Sequence, residues 1–218
     1  MIDKNRALFN AFPLLQRIAP GMAVLFLVLC AGCGSNPYPP VPDWQKNIEV
    51  DYDYILGPGD AVSIFVWGNE ELSTMGTIRP DGKFTTHLVE DIQASGKTTT
   101  QLARDIEMRY SEYVRQPVVS VSVSGFVGVP EQSVRVVGEA VDPKRIPYKK
   151  HMRLIDLMIQ AGGLTPYADG NKSVLVRVVD GEQITYSLRL DDLIRDGDIS
   201  ADMAVMPGDI YIIAESWF

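Results

Sequence analysis

An α+β fold of two small bodies in tandem is what this chain predicts, and three observations predict it. The same turn, Pro-Gly-Asp, occurs at 58–60 and again at 207–209, and each copy launches an apolar, β-rich run. Strand-like alternation gives way twice to helical spacing, once near residue 100 and once near residue 155. The pattern breaks at 125–132, which leaves two stretches of about 80 residues, each strand-rich and each with one helix. Average apolar content, 46% of 218 residues, argues for a folded chain rather than a disordered one.

The first body, residues 50–128, opens with YILGPGDAVSIFVWG. Gly57, Pro58, Gly59 and Asp60 form a tight turn, and the run to Trp67 places Val62, Ile64 and Val66 on one face. In TIRPDGKFTTHL the order Pro80-Asp81-Gly82 predicts a hairpin between extended arms. KTTTQLARDIEMRYSEYV changes period: Leu102, Ile106, Tyr110 and Tyr113 recur at three- and four-residue spacing, and Thr98 or Thr99 caps the start. QPVVSVSVSGFV then alternates strictly, with Val119, Val121 and Val123 on one face and serines on the other, as a half-buried strand requires.

The second body, residues 132–218, begins with a strand at 134–137 that ends at Gly138. MRLIDLMIQAGG predicts a short helix with Leu154, Leu157, Met158 and Ala161 inward, stopped by Gly162-Gly163. SVLVRVVDGEQITYSLRL predicts a hairpin about Asp180-Gly181. Pro207, Gly208 and Asp209 repeat the turn and enter a last strand, so a small sheet wraps on one helix in a β-grasp-like way. Two readings of the twin turns are open, a shared ligand loop and a structural turn. The residues favour the structural one: proline fixes φ, glycine takes the left-handed conformation, and Asp bonds nearby amides.

Both cysteines lie near the N-terminus, in LFLVLCAGCGSNPYPPVPDW. Ahead of them Lys4, Arg6 and Arg17 stand against Asp3, followed by an uncharged apolar run of about 11–15 residues, the pattern of a secretory signal over residues 1–32. A spanning helix needs roughly 20 apolar residues, more than this run supplies. Cys30-Ala31-Gly32-Cys33 resembles the lipobox of bacterial lipoproteins, with Cys33 as the lipidated first residue and Cys30 where Leu is usual. Two other readings of the pair are plain apolar cysteines in an uncleaved anchor and a C-x-x-C of redox or zinc type. The zinc reading is poor, because tetrahedral zinc needs more ligands than the two thiols, and His87 and His151 are distant in sequence. For a lipoprotein with Gly34 rather than Asp in second place, the resemblance implies the periplasmic face of the outer membrane. Residues 33–49 read as a proline-rich tether, with Pro37, Pro39, Pro40 and Pro42 giving a semi-rigid spacer of about 40 Å. Loss of the signal moves the formal net charge from −8 to about −10, a poor surface for nucleic acid.

In this order, YILGPGDAVSIFVWG, RPDGKF, a helix, QPVVSVSV, VRVVGEAVDP, LIDLMIQAGG and MPGDIYI closely resemble the outer-membrane polysaccharide export proteins, the Wza-like group. The likeness covers about residues 50–215 and implies a strand-rich polysaccharide-export domain with one helix, followed by a β-grasp-like SLBB domain (soluble-ligand-binding β-grasp). It implies a homo-oligomeric ring through which an exopolysaccharide chain leaves the cell, facing an inner-membrane polysaccharide co-polymerase. Longer members continue into further repeats and a pore-forming helix, whereas this sequence stops at Trp217-Phe218. Two readings stay open, that this chain forms the outer-membrane pore itself and that a separate outer-membrane β-barrel supplies it. Trp217 and Phe218 either pack on their own sheet or dock at a membrane interface or partner.

A head-to-tail ring needs two different surfaces. Lys144, Arg145, Lys149, Lys150 and Arg153 gather in PKRIPYKKHMR, and Asp191, Asp192, Asp196, Asp198 and Asp202 gather in DDLIRDGDISAD. The two sets either face each other across subunits or are separately solvated, and the basic one could instead hold an anionic sugar chain or the co-polymerase. No Ser/His/Asp spacing, metal cluster or phosphate-cradling loop stands out, so neither catalysis nor a cofactor or metal is expected. The alternative to an export component is a monomeric carbohydrate-binding envelope lipoprotein. Trp44, Trp67, Tyr110 and Tyr113 are the available stacking platforms, although Trp67 reads more readily as a core residue. Mass spectrometry of protein extracted from native membranes is expected to show a chain that begins at an acylated Cys33; an unmodified, uncleaved N-terminus would remove the anchor.

Overall fold

The computed structural model describes residues 36–217, so the signal segment, Cys30, Cys33 and Phe218 lie outside the described residues. A one-turn helix, α1 (Asp43–Lys46), comes first. The alternation at 61–66 becomes β1 (Ala61–Val66), the middle strand of an antiparallel sheet ordered β2 (Thr74–Thr77), β1, β5 (Val119–Gly125). Register places Val62 opposite Val123, Ile64 opposite Val121 and Val66 opposite Val119 on the inner face. Ser63 opposite Ser122 and Phe65 opposite Ser120 make the outer one.

The inner face is covered by α2 (Thr99–Tyr110), whose start is fixed by a capping box. Thr98 Oγ accepts from the Gln101 amide at 3.2 Å, and Gln101 Oε1 accepts from the Thr98 amide at 2.9 Å. Leu102, Ile106 and Tyr110 are fully buried as their spacing predicts, whereas Tyr113 faces solvent. The turn at Pro80-Asp81-Gly82 forms, with the Gly82 amide on the Arg79 carbonyl at 2.8 Å, but the predicted hairpin does not. Strand β3 (Lys83–Phe84) pairs instead with β4 (Ile92–Gln93). Phe84 leaves the sheet to lay its ring over Gly76, where a Cβ would sit 3.2 Å from the ring, and is itself buried.

The second body has β6 (Ser133–Gly138), β7 (Arg145–Pro147), α3 (Leu154–Gln160), β8 (Ala168–Val179), β9 (Glu182–Ser187), α4 (Leu190–Ile194) and β10 (Ile210–Glu215). The sheet runs β7-β6-β10-β8-β9, antiparallel except for the central pair β6 and β10. First and last strands lie side by side and parallel, with α3 packed on one face, which is the β-grasp arrangement. Leu154, Leu157, Met158 and Ala161 are all buried, as the sequence predicts. The β8–β9 hairpin turns at Asp180 (φ 53°) and Gly181 (φ 84°), both left-handed as a type I′ turn requires.

The stretch expected as a spacer is, from residue 39 onward, part of the second body. The Pro39 carbonyl accepts from the Ser187 amide at 2.8 Å, and Pro40 bridges Ser187 in parallel, along the free edge of β9. Val41 enters the second core at 5% exposure. Gln45 is buried: its Nε2 donates to Tyr186 Oη at 3.2 Å and its Oε1 accepts from Arg177 Nη1 at 3.3 Å. The Lys46 carbonyl accepts from the Ala204 amide at 2.8 Å. The prolines still extend the chain locally, but here an extended chain completes a sheet edge rather than spanning open space.

The chain then crosses to the first body past Tyr52, whose ring meets Tyr148 edge-on at 4.8 Å. Gln132 clamps the crossing, accepting from the Ile55 amide at 3.1 Å and donating to the Asp53 carbonyl at 3.0 Å. Truncation of Gln45 to Ala would leave buried polar groups on Tyr186 and Arg177 short of a partner. It is expected to cost about 1–3 kcal/mol, read as a lower denaturation midpoint of the second body.

Candidate functional site

The two Pro-Gly-Asp turns share one geometry. Gly59 and Gly208 sit at φ 95° and 87°, a left-handed position that a side chain would strain. The Asp60 amide bonds the Gly57 carbonyl at 3.2 Å, and the Asp209 amide bonds the Met206 carbonyl at 3.2 Å. Each carboxylate reaches back to the first amide of its own turn: Asp60 Oδ2 accepts from Gly57 and Asp209 Oδ2 from Met206, both at 2.8 Å. Both aspartates are fully buried.

Their remaining partners differ. Asp60 Oδ1 takes neutral donors only: the amides of Val127 at 2.6 Å and Gly128 at 2.8 Å, and Tyr54 Oη at 2.7 Å. Burial, then the hydrogen bond to Asp60, push the Tyr54 phenol well above its ordinary pKa. Gly57 is required by close approach, since a Cβ there would fall 1.9 Å from the Gly128 carbonyl oxygen. Asp209 instead holds Arg177, with Nε at 2.9 Å and Nη2 at 2.6 Å, both residues about 1% exposed. Burial opposes the guanidinium charge, and the Asp209 carboxylate more than offsets it, so the Arg177 pKa is raised. Arg177 Nη2 also donates to the Ala204 carbonyl at 3.0 Å, and Tyr211 Oη donates to Asp209 at 3.1 Å. Full burial and the adjacent Asp209 charge raise the Tyr211 pKa strongly.

The charged sets predicted as contact surfaces fall differently. Asp191 pairs with Arg195 at 2.9 Å, Asp192 with Arg189 at 2.6 Å, and Asp198 also with Arg189. Asp192 is further held by Asn171 Nδ2 at 2.7 Å. Arg153, from the basic set, pairs with Asp202, from the acidic one, inside the same chain. Lys144 pairs with Asp142 at 2.6 Å. Arg145, Lys149, Lys150 and Asp196 stand exposed on the surface. The acidic set is therefore largely neutralised where it stands, and the cationic surface left over is Arg145, Lys149 and Lys150.

Trp217 is 85% exposed, so it does not pack on its own sheet. Trp67 is 71% exposed, which overturns its reading as a core residue. The reason is legible in FVW: alternation that buries Val66 must turn Phe65 and Trp67 outward together. Their rings meet edge-to-face at 6.4 Å. Trp44 and Tyr113 are also exposed, whereas Tyr110 belongs to the core. Sequence reasoning missed Gln45 and Arg177. The signal for Arg177 was a charge in an inward register of β8, between Ser173, Leu175 and the strand's end.

Compared with known families, residues 48–124 match the polysaccharide biosynthesis/export protein family and residues 133–187 match the SLBB domain. Neither match includes the strap at 39–46 or β10, although the second sheet needs both.

Replacement of Asp209 by Asn strands a buried guanidinium and is expected to cost about 3–5 kcal/mol in equilibrium unfolding. A raised tyrosine pKa stabilises the fold fully below the unfolded value near 10.0 and loses that contribution as pH rises above it. Stability is therefore expected to fall as pH rises above about 10 in denaturant titrations, and Tyr211→Phe should flatten that decline.

Proposed function

Since the chain belongs to the polysaccharide biosynthesis/export proteins and carries a single SLBB domain, we propose that it is an envelope component through which a finished exopolysaccharide passes outward. Copies of the chain assemble into a ring at the periplasmic face of the outer membrane, held there by lipid on Cys33. The ring receives polymer from an inner-membrane polysaccharide co-polymerase and forms or completes its conduit across the outer membrane. The protein binds and conducts and performs no covalent chemistry of its own.

The observation that carries this reading is the succession of the two matched domains along one continuous compact unit. No helix among the described residues is long and apolar enough to cross a membrane. Arg145, Lys149 and Lys150 form a cationic contact for an acidic partner surface, either the neighbouring copy or the co-polymerase. The exposed aromatics also suit the second reading, a monomeric carbohydrate-binding lipoprotein, and native mass separates the two.

A strain lacking the protein is expected to go on synthesising polymer but retain it inside the envelope. Delipidated protein should have a native mass several times that of the 24.1 kDa chain. The double reversal Lys149→Glu, Lys150→Glu should reduce either that mass or co-purification with the co-polymerase. Normal export from the deletion strain would overturn the reading, and a monomeric mass would transfer support to the binder.

A further inference from the structure

We infer that the outer face of the β2-β1-β5 sheet carries a stacking subsite for sugar residues without negative charge, with Trp67 as its platform and Glu70 and Glu71 as its polar wall. This rests on the reading that the chain handles a polysaccharide, and adds to it a place and a charge class.

The site begins with alternation. Val66 is wholly buried, so Phe65 and Trp67 share the outer face, 46% and 71% exposed. Their rings stand 72° apart, so the edge of one braces the other and leaves Trp67 a broad free surface. That platform is held by its backbone rather than by a mobile loop. The Trp67 amide donates to the Val118 carbonyl at 3.0 Å, and the Val66 amide donates to Ser73 Oγ at 3.0 Å. Gly68 takes a left-handed φ of 75°, and a 3-10 turn, Glu70–Leu72, follows and anchors Leu72 in the core. Orientation is thus settled before any ligand arrives, which lowers the entropic cost of binding.

The same turn sets the chemistry. Phe65, Trp67, Gly68, Glu70 and Glu71 line an open hollow of about 540 Å³. Both glutamates are exposed, and neither has an ion-pair partner within the described residues. A pyranose presents an apolar C–H face and a rim of hydroxyl donors. The indole covers the former, and ionised carboxylates, which only accept hydrogen bonds, take the latter. Across the sheet Ser120 and Ser122 add outward hydroxyls in register with Phe65 and Ser63. Two uncompensated carboxylates within a Debye length of about 8 Å repel a uronate or phosphate-bearing unit and attract an amino sugar.

The test uses the full-length protein in detergent and three probes titrated by calorimetry: cellohexaose, a glucosamine hexamer and a galacturonate hexamer. The first two are expected to bind and the third not. Trp67→Ala should weaken the first two by at least about tenfold, and Trp67→Phe should restore part of that loss. The double variant Glu70→Gln, Glu71→Gln should admit the galacturonate hexamer while keeping cellohexaose. Absence of binding by any probe, equal binding of the uronate by the unaltered protein, or indifference to Trp67→Ala would overturn the inference. So would a drop in native mass in Trp67→Ala with sugar binding intact, since the indole would then be a subunit contact. A deletion strain that retains polymer while no probe binds defeats only the subsite. A deletion strain that exports normally defeats the export reading, whatever the titrations show.

Discussion

Arg177 and Asp209 face each other in complete burial, and the second body is arranged so that neither is left alone. A lone charge in that position would be strongly destabilising, whereas the pair with each guanidinium nitrogen hydrogen-bonded is tolerable. The guanidinium on β8 is answered by three other stretches of chain: the turn before β10, the Ala204 loop and the strap through Gln45. An apolar substitute could fill the same volume, but it would make none of these directional bonds. The fork of the guanidinium ties β8 to the turn before β10 and to the strap at once.

The first turn does for the linker what the second does for the sheet. Asp60 has no cation, and three amides and a phenol stabilise its charge instead. Two of those amides, on Val127 and Gly128, belong to the connection between the bodies. On the other side, the Gly208 amide in the second turn donates to the Ser133 carbonyl at 3.1 Å. The Asp60 carboxylate thus holds the start of the short connection, and the Gly208 amide holds Ser133, the strand residue just past its end. Gln132, with both ends of its amide engaged by the crossing strand, adds a third clasp.

Local pattern carried most of the secondary structure. Thr98, the spacing of Leu102, Ile106 and Tyr110, the Asp180-Gly181 turn and the valine-serine alternation each act over a few residues, and each appears where its pattern puts it. What local pattern could not carry is contact between distant residues. Gln45 meets Tyr186 across 141 positions, so a proline-rich stretch with no apolar run of its own reads as a spacer until its partner is known. Phe84 pairs through its backbone with Ile92 of β4 while its ring covers Gly76 of β2, and no turn rule contains that information. Trp67 is a different case. Its outward direction was already in the alternation of β1, and the general preference of tryptophan for interiors obscured it.

The strap has a mechanical consequence. Because residues 39–46 are laid on the second body before the chain enters the first, tension applied at residue 37 does not pass down the chain in sequence order. It is taken up along β9, where Pro39 and Pro40 lie parallel to Ser187, and must shear those bonds and draw out Gln45 before it can reach Leu56. The first body, with its exposed indole, is thereby shielded from whatever pulls on the chain's leading end.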